Sequence, residues 1–189
     1  MSKNIYLKKR INTRYFNKSL YPKDKIKLNK IIDNIFTSLD DKKDTFHLLS
    51  KKFNFNFKYS EFTRFNKYKS VVLIGIGGSA SGAKAIYSFC NNRIKKKFYF
   101  IDNLEQFKIE KIKKKINLKN SLFIIISKSG NTLETLVNSN LLKDKINNKN
   151  TIIVTEKKTN LLNTFAKNKK ILHIIHKDYI GGRYSVLSE

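Results

Sequence analysis

The sequence predicts an α/β fold, a three-layer sandwich around a central five-stranded parallel sheet, with an N-terminal, mainly helical extension. Three observations lead there. Short β-branched or aromatic runs recur from Val71 onward at intervals of roughly 20 to 30 residues. Patterns of helical period fill the intervals. The runs themselves are almost continuously apolar, as strands covered on both faces must be.

The predicted strands are Val71–Ile74, Phe98–Ile101, Leu122–Ile126, Thr151–Val154 and Ile171–Ile175. Ala83, Ile86 and Phe89 mark a helix after the first strand. Leu104, Phe107, Ile109, Ile112 and Ile116 approximate the face of a second helix, and Leu133, Leu136, Val137 and Leu141 trace a third more cleanly. Helices are expected on both sides of the sheet. The first 68 residues differ in texture and contain no glycine. There, Leu28, Ile31, Ile32, Ile35 and Leu39 predict an amphipathic helix, with Pro22 and Asp24 as start signals. Phe53, Phe55, Phe57 and Tyr59 then alternate with polar residues, which fits either a strand or aromatic side chains packing a helical cap onto the sheet.

A chain of 189 residues is long enough for one domain with a core plus an extra segment. Forty Lys and Arg against fourteen Asp and Glu give a net charge of +26. The lysines are spread along the whole chain among many Asn and Ile, so compositional bias explains them as well as a nucleic-acid face would. Nucleic acid is therefore not the expected partner, although the field would draw in an anionic metabolite. Met1 to Arg10 is basic but no apolar signal core follows, and no run approaches the length that spans a bilayer. A cytoplasmic protein with no membrane partner is expected. Cys90, the single cysteine, rules out an intramolecular disulfide and is expected to be a buried helix residue. His47, His173 and His176 have no metal-ligand company in the sequence, so no metal is assigned.

The chemistry concentrates in three loops. Ser127-Lys128-Ser129-Gly130-Asn131-Thr132 joins the third strand to a helix and packs three hydroxyls, an ammonium and a glycine into one turn. Free N–H groups and the helix dipole favour an anion there, so the run reads as a phosphate cradle, or alternatively as a Ser/Thr-rich helix cap. It lacks the Walker A spacing, which favours a phosphate monoester over a nucleoside triphosphate. Glu134 would lie in the first helical turn, complementing the dipole. Gly75-Ile76-Gly77-Gly78-Ser79 follows the first strand and reads as a tight turn or a second anion- or sugar-contacting loop. Position 80 is Ala rather than the glycine of a dinucleotide fingerprint, so Asp102 near the end of the next strand is a weak ribose candidate. Gly181-Gly182-Arg183-Tyr184-Ser185-Val186-Leu187-Ser188 presents one arginine from a Gly-Gly turn, either as a fixed cation for a developing oxyanion or as an ordinary loop residue.

Together, in this order and spacing, the three loops resemble those of the glucose-6-phosphate isomerase family, over about Val71 to Ser188. The resemblance implies that residues 69–189 are the first sugar isomerase (SIS) domain of such an enzyme and 1–68 its helical extension. It further implies interconversion of glucose 6-phosphate and fructose 6-phosphate through a cis-enediolate, in glycolysis and gluconeogenesis, without metal or organic cofactor. Carried over by position, Ser127, Lys128, Ser129 and Thr132 would hold the phosphate, and Gly78 and Ser79 would line the sugar. Arg183 would stabilise enediolate charge, and Glu134 would order water or neighbouring groups. Ser129 stands where many members have threonine, which preserves the hydroxyl.

The family's glutamate base, ring-opening histidine and further catalytic lysine come from a second SIS domain and C-terminal segment that this sequence does not contain. An N-terminal portion that binds the sugar phosphate with little or no turnover is therefore expected, with a homodimer for the full-length protein. The alternative is a stand-alone SIS module that senses a phosphosugar, which would call for a helix-turn-helix in the first 68 residues.

Overall fold

The computed structural model describes residues 22–115, 117, 120–185 and 188. Ile116, Val186, Leu187 and the basic stretch Met1 to Arg10 lie outside the described residues. A five-stranded, fully parallel sheet forms the centre: β1 (Ser70–Ile74), β2 (Lys97–Ile101), β3 (Ser121–Ile126), β4 (Thr151–Glu156) and β5 (Leu172–His176), in the spatial order β2-β1-β3-β4-β5. Each apolar run of the sequence is one of these strands, displaced by two residues at most. β1 pairs with β2 from Ser70 opposite Lys97 and with β3 from Ser70 opposite Ser121.

The connecting helices are α2 (Gly78–Cys90), α3 (Gln106–Lys115), α4 (Leu133–Asn140) and α5 (Leu161–Asn168), preceded by α1 (Pro22–Ser38). Right-handed crossovers from β1 out to β2 and then back across β1 to β3 put α2 on one face and α3, α4 and α5 on the other. The core divides accordingly. Val72, Ile74, Ile101, Phe123, Ile125 and Ile153 meet Ile109, Ile112, Leu162 and Ala166 on the three-helix face. On the other face Val71, Leu122, Ile152, Val154 and Ile174 meet Phe65 and Tyr68.

The second of these layers settles the aromatic stretch. Residues 53–57 form no strand, and two 3-10 helices, Thr45–Leu49 and Tyr59–Phe65, flank them. Phe53, Phe55, Phe57 and Phe62 touch ring to ring in succession, and Phe57 and Phe62 pack on the sheet. They form a cap, and Tyr59 stays exposed.

Four helices depart from their patterns, and in α2 both Ile86 and Phe89 are exposed. In α3, Ile109 and Ile112 are buried but Phe107 is exposed, because two residues turn a helix by about 200° and carry Phe107 to the far side of Ile109. Leu104 precedes the helix and is also exposed. In α4 the expected face is largely inverted: Leu136 touches the core, whereas Leu133, Val137 and Leu141 are exposed and Thr135, Asn138 and Ser139 are buried. Small polar side chains suit this contact. Ser139 returns its hydroxyl proton to the Thr135 carbonyl at 2.6 Å, and Asn138 Nδ2 donates to the Asn103 carbonyl at 3.2 Å. α1 spans Pro22–Ser38 and covers its apolar face only in part: Leu28 and Ile31 are exposed, and Ile32, Ile35 and, just past the helix, Leu39 are half-buried. Cys90, at the end of α2, is half-buried rather than interior.

Asp102, just past β2, accepts a hydrogen bond from Lys84 of α2 and another from Lys108 of α3 at 2.7 Å. Burial alone would raise the Asp102 carboxyl, but the two ammonium groups outweigh it and hold it below its ordinary 3.8. His173 is shifted down from 6.5, chiefly by burial, against a hydrogen bond to the Thr155 carbonyl that works the other way. Both depressions act in the same direction on stability. The unfolded chain binds a proton that the folded chain refuses, so stability falls as pH drops, first from about 6.5 through His173 and again below about 3.8 through Asp102. Urea denaturation across this range is expected to show both losses. His173→Gln should remove the first and Asp102→Asn the second; stability that rises on acidification from pH 7 would contradict the assignment.

Candidate functional site

In a parallel sheet whose strand order reverses direction, a crevice opens at the carboxyl ends of the two strands where the reversal occurs. Here those strands are β1 and β3. The loops leaving them are Gly75–Ser79 and Ser127–Thr132, so the topology alone puts two of the three sequence motifs side by side.

The Ser127–Thr132 loop is fixed from below. The Ser127 N–H donates to the Val154 carbonyl at 3.1 Å, and the Lys128 carbonyl accepts from the Glu156 N–H at 3.0 Å and the Thr155 hydroxyl at 3.2 Å. On its far side, Leu162 N–H donates to the Gly130 carbonyl and Leu161 N–H to Asn131 Oδ1. Gly130 sits at φ +67, in the left-handed region, with its Cα against the Asn160 side chain. Asn160 is itself buried: its Oδ1 caps α5 through the Asn163 N–H, and its Nδ2 donates to the Lys158 and Glu156 carbonyls.

On this base the three hydroxyls converge. Ser127 Oγ lies 2.8 Å and Ser129 Oγ 3.4 Å from Thr132 Oγ1. Thr132 is the N-cap residue of α4 but its side chain makes no cap hydrogen bond, and first-turn N–H groups have no partner within a helix. The three hydroxyls thus gather at the N-terminus of α4, where Ser127 Oγ and Ser129 Oγ also accept from the Gly130 and Asn131 N–H groups. The Lys128 ammonium does not join them. It donates to the Asp178 carbonyl at 2.9 Å and pairs with Glu156 at 3.3 Å, so the loop's charge is directed sideways instead of into the hydroxyl cluster. Glu134 is half-buried in the first turn of α4.

The other two loops close on the first. A Cβ on Gly78 would stand 2.4 Å from the Gly182 carbonyl oxygen and 2.9 Å from Arg183 Cα, and one on Gly182 would reach Lys128 Cβ at 3.8 Å. Residues 75–79, 127–132 and 181–185 therefore form one continuous rim, on which Arg183 is exposed. Ser79 opens α2 beside it, and a cavity of about 230 Å³ runs beneath, lined by Gly78, Ser79, Ile126, Val154, His176 and Ser185 among others. His176 is buried with Nδ1 on the Lys177 carbonyl at 2.7 Å. His47 lies elsewhere, against Phe53.

Sequence reasoning overlooked Asn160, Glu156 and Asp178. Only Asn160 carried a signal, as a cap residue directly before the apolar pair Leu161-Leu162.

Residues 32–189 match the family profile of phosphoglucose isomerase. The chain is 40% identical over 135 residues to the glucose-6-phosphate isomerase of Borrelia garinii subsp. bavariensis, covering 65% of this chain and 25% of that protein. It is 40% identical over 124 residues to that of Methanocaldococcus jannaschii, covering 63% and 30%. Among solved structures, a glucose-6-phosphate isomerase from Chlamydia trachomatis superposes with a TM-score of 0.59 at 29% identity, over 67% of this chain and 26% of that one. The chain thus spans about a quarter to a third of the length of these relatives. With the profile matched over most of the chain, motif loops included, this protein belongs to the phosphoglucose isomerase family.

Proposed function

We propose that this chain supplies the phosphate-binding part of an aldose-ketose isomerase site for glucose 6-phosphate and fructose 6-phosphate. The convergence of Ser127, Ser129 and Thr132 on the N-terminus of α4 carries this reading. Three hydroxyls and the helix N–H groups can hold a dianionic phosphate, and Lys128 joins them through its main-chain N–H, its ammonium being engaged with Glu156. Gly78 and Ser79 line the sugar.

Isomerisation moves a proton from C2 of the open-chain aldose to C1, and one from O2 to O1, by way of an enediolate. Arg183, carried on the rim beside Gly78, balances the charge that develops on the enediolate oxygen. Glu134 orders groups or water at the first turn of α4. Glu156, the carboxylate paired with the loop, is committed to Lys128 and Lys158, and Glu134 has this ordering role. We therefore assign C2 proton abstraction to none of the described residues. The chain alone is expected to bind sugar phosphate with little or no turnover, in the cytoplasm, as part of an enzyme that works as a homodimer. The exposed Leu133, Val137 and Leu141 beside the site support the last point.

Calorimetric titration with glucose 6-phosphate, run beside a coupled isomerase assay, tests this. Binding should weaken about tenfold in Ser127→Ala, the value of one hydrogen bond to a charged group. Absence of binding would remove the cradle assignment, and robust turnover by the 189-residue chain would overturn the assignment of the base elsewhere.

A further inference from the structure

The edge of the sheet opposite the phosphate loop carries a second concavity. The loop before β2, the residue before β1 and the end of α3 surround a hollow of about 610 Å³, lined by Tyr68, Lys69, Lys95, Lys96, Lys97 and Lys115 among others. In the sequence these lysines are scattered over 47 positions, from 69 to 115. The parallel register brings them together, because Ser70 pairs with Lys97 and the Lys97 N–H donates to the Lys69 carbonyl at 3.3 Å.

We propose that this hollow is a binding site for a compact small molecule bearing two or more phosphate groups. Its floor is built. The Lys96 ammonium donates to the carbonyls of Phe65, Asn66 and Tyr68 at 3.1, 3.0 and 2.5 Å, which ties the segment before β1 to the loop before β2. Lys69, Lys95, Lys97 and Lys115 are exposed around that floor, and no acidic residue is among those lining the hollow. The contrast with the other edge is direct. There, Lys84 and Lys108 share Asp102, and Lys128 and Lys158 share Glu156. Four ammonium groups with no carboxylate partner among the described residues repel each other around one concavity, and a multiply charged anion relieves that repulsion in proportion to its charge. A single phosphate would leave most of it in place. The volume falls within the range of small-molecule sites, roughly 300 to 1,000 Å³. The length of β1, about 16 Å for five residues, separates this hollow from the sugar-phosphate cradle, so one ligand occupying both is excluded.

The test is calorimetric titration of the full chain with inorganic tripolyphosphate at near-physiological ionic strength. Because any polyanion is drawn to a chain of charge +26, the comparison is between two variants of equal charge. Lys97→Gln/Lys115→Gln removes two cations from the hollow. Lys27→Gln/Lys30→Gln removes two exposed ones from α1. One-to-one binding is expected, weakened about tenfold or more by the first pair and within about twofold of the parent for the second, and unaffected by saturating glucose 6-phosphate. Thermal melts should confirm that both variants fold. The proposal is overturned by no binding, by equal weakening in the two variants, or by competition from glucose 6-phosphate, which would place the anion in the cradle. Tighter binding of duplex DNA at the same salt, with displacement of tripolyphosphate, would overturn it in favour of a polymer.

Discussion

Gly130→Ala is expected to abolish measurable sugar-phosphate binding and to destabilise the fold by about 3 kcal/mol. Two penalties add. The residue sits at φ +67, where an L side chain costs about 1 to 2 kcal/mol. The new Cβ would also stand 2.0 Å from Asn160 Oδ1 and 2.2 Å from its Cγ, inside any tolerable contact. Asn160 has little room to retreat, since its side chain is buried and caps α5 while donating to two carbonyls. Relief must then come from the loop that carries Ser127, Ser129 and Thr132. Chemical denaturation and calorimetry read the two effects separately. Asn160→Ala should cost less in the Gly130→Ala background than in the parent, because there the loss of its cap and hydrogen bonds is offset by removal of the clash. A Gly130→Ala chain as stable as its parent would mean that the loop is not held as described.

The second large effect is of another kind. Gly78 carries no left-handed penalty, and its Cβ would strike main chain: the Gly182 carbonyl oxygen at 2.4 Å, Arg183 Cα at 2.9 Å and Gly182 C at 3.0 Å. Gly78→Ala therefore pushes away the segment that presents Arg183 while leaving the hydroxyl cluster undisturbed. Affinity for inorganic phosphate, which reads the cradle alone, is expected to stay within about twofold, whereas affinity for glucose 6-phosphate drops about tenfold. Tryptic cleavage after Arg183 should accelerate as the segment loosens. Equal loss for both ligands would show that the three loops respond as one body. The pair of glycine variants thus separates anchoring of the phosphate from placement of the guanidinium.

The strands were legible because a parallel strand covered on both faces must be apolar along its whole length, and nothing else in the chain combines that with the same spacing. The site loops were legible for a related reason. A chemical motif directly after such a strand falls at the edge where ligands bind, whatever the rest of the fold does. Helix facing was less so. The α4 pattern of Leu133, Leu136, Val137 and Leu141 is a sound amphipathic stripe, yet the helix turns Thr135, Asn138 and Ser139 inward, and Asn138 donates to the Asn103 carbonyl, a partner 35 residues away that the local sequence does not reveal. Lys128 is similar. Its position inside the motif suggested an ammonium among the hydroxyls, but Glu156 lies 28 residues away in sequence and only the pairing of β3 with β4 brings it within reach.

The double ion pair at Asp102 has a mechanical consequence. One carboxylate holds helices from opposite faces of the sheet, α2 and α3, to the end of the edge strand between them. β2, α2 and α3 are thereby tied together at this end of the sheet, while β4 and α5 are bound to the Ser127–Thr132 loop. The crevice at the carboxyl ends of β1 and β3 lies between these two braced sides. The loops of Gly78 and Ser127 leave β1 and β3 on opposite sides of it, so the spacing of the two loops is set by ties that reach β2 on one side and β4 on the other.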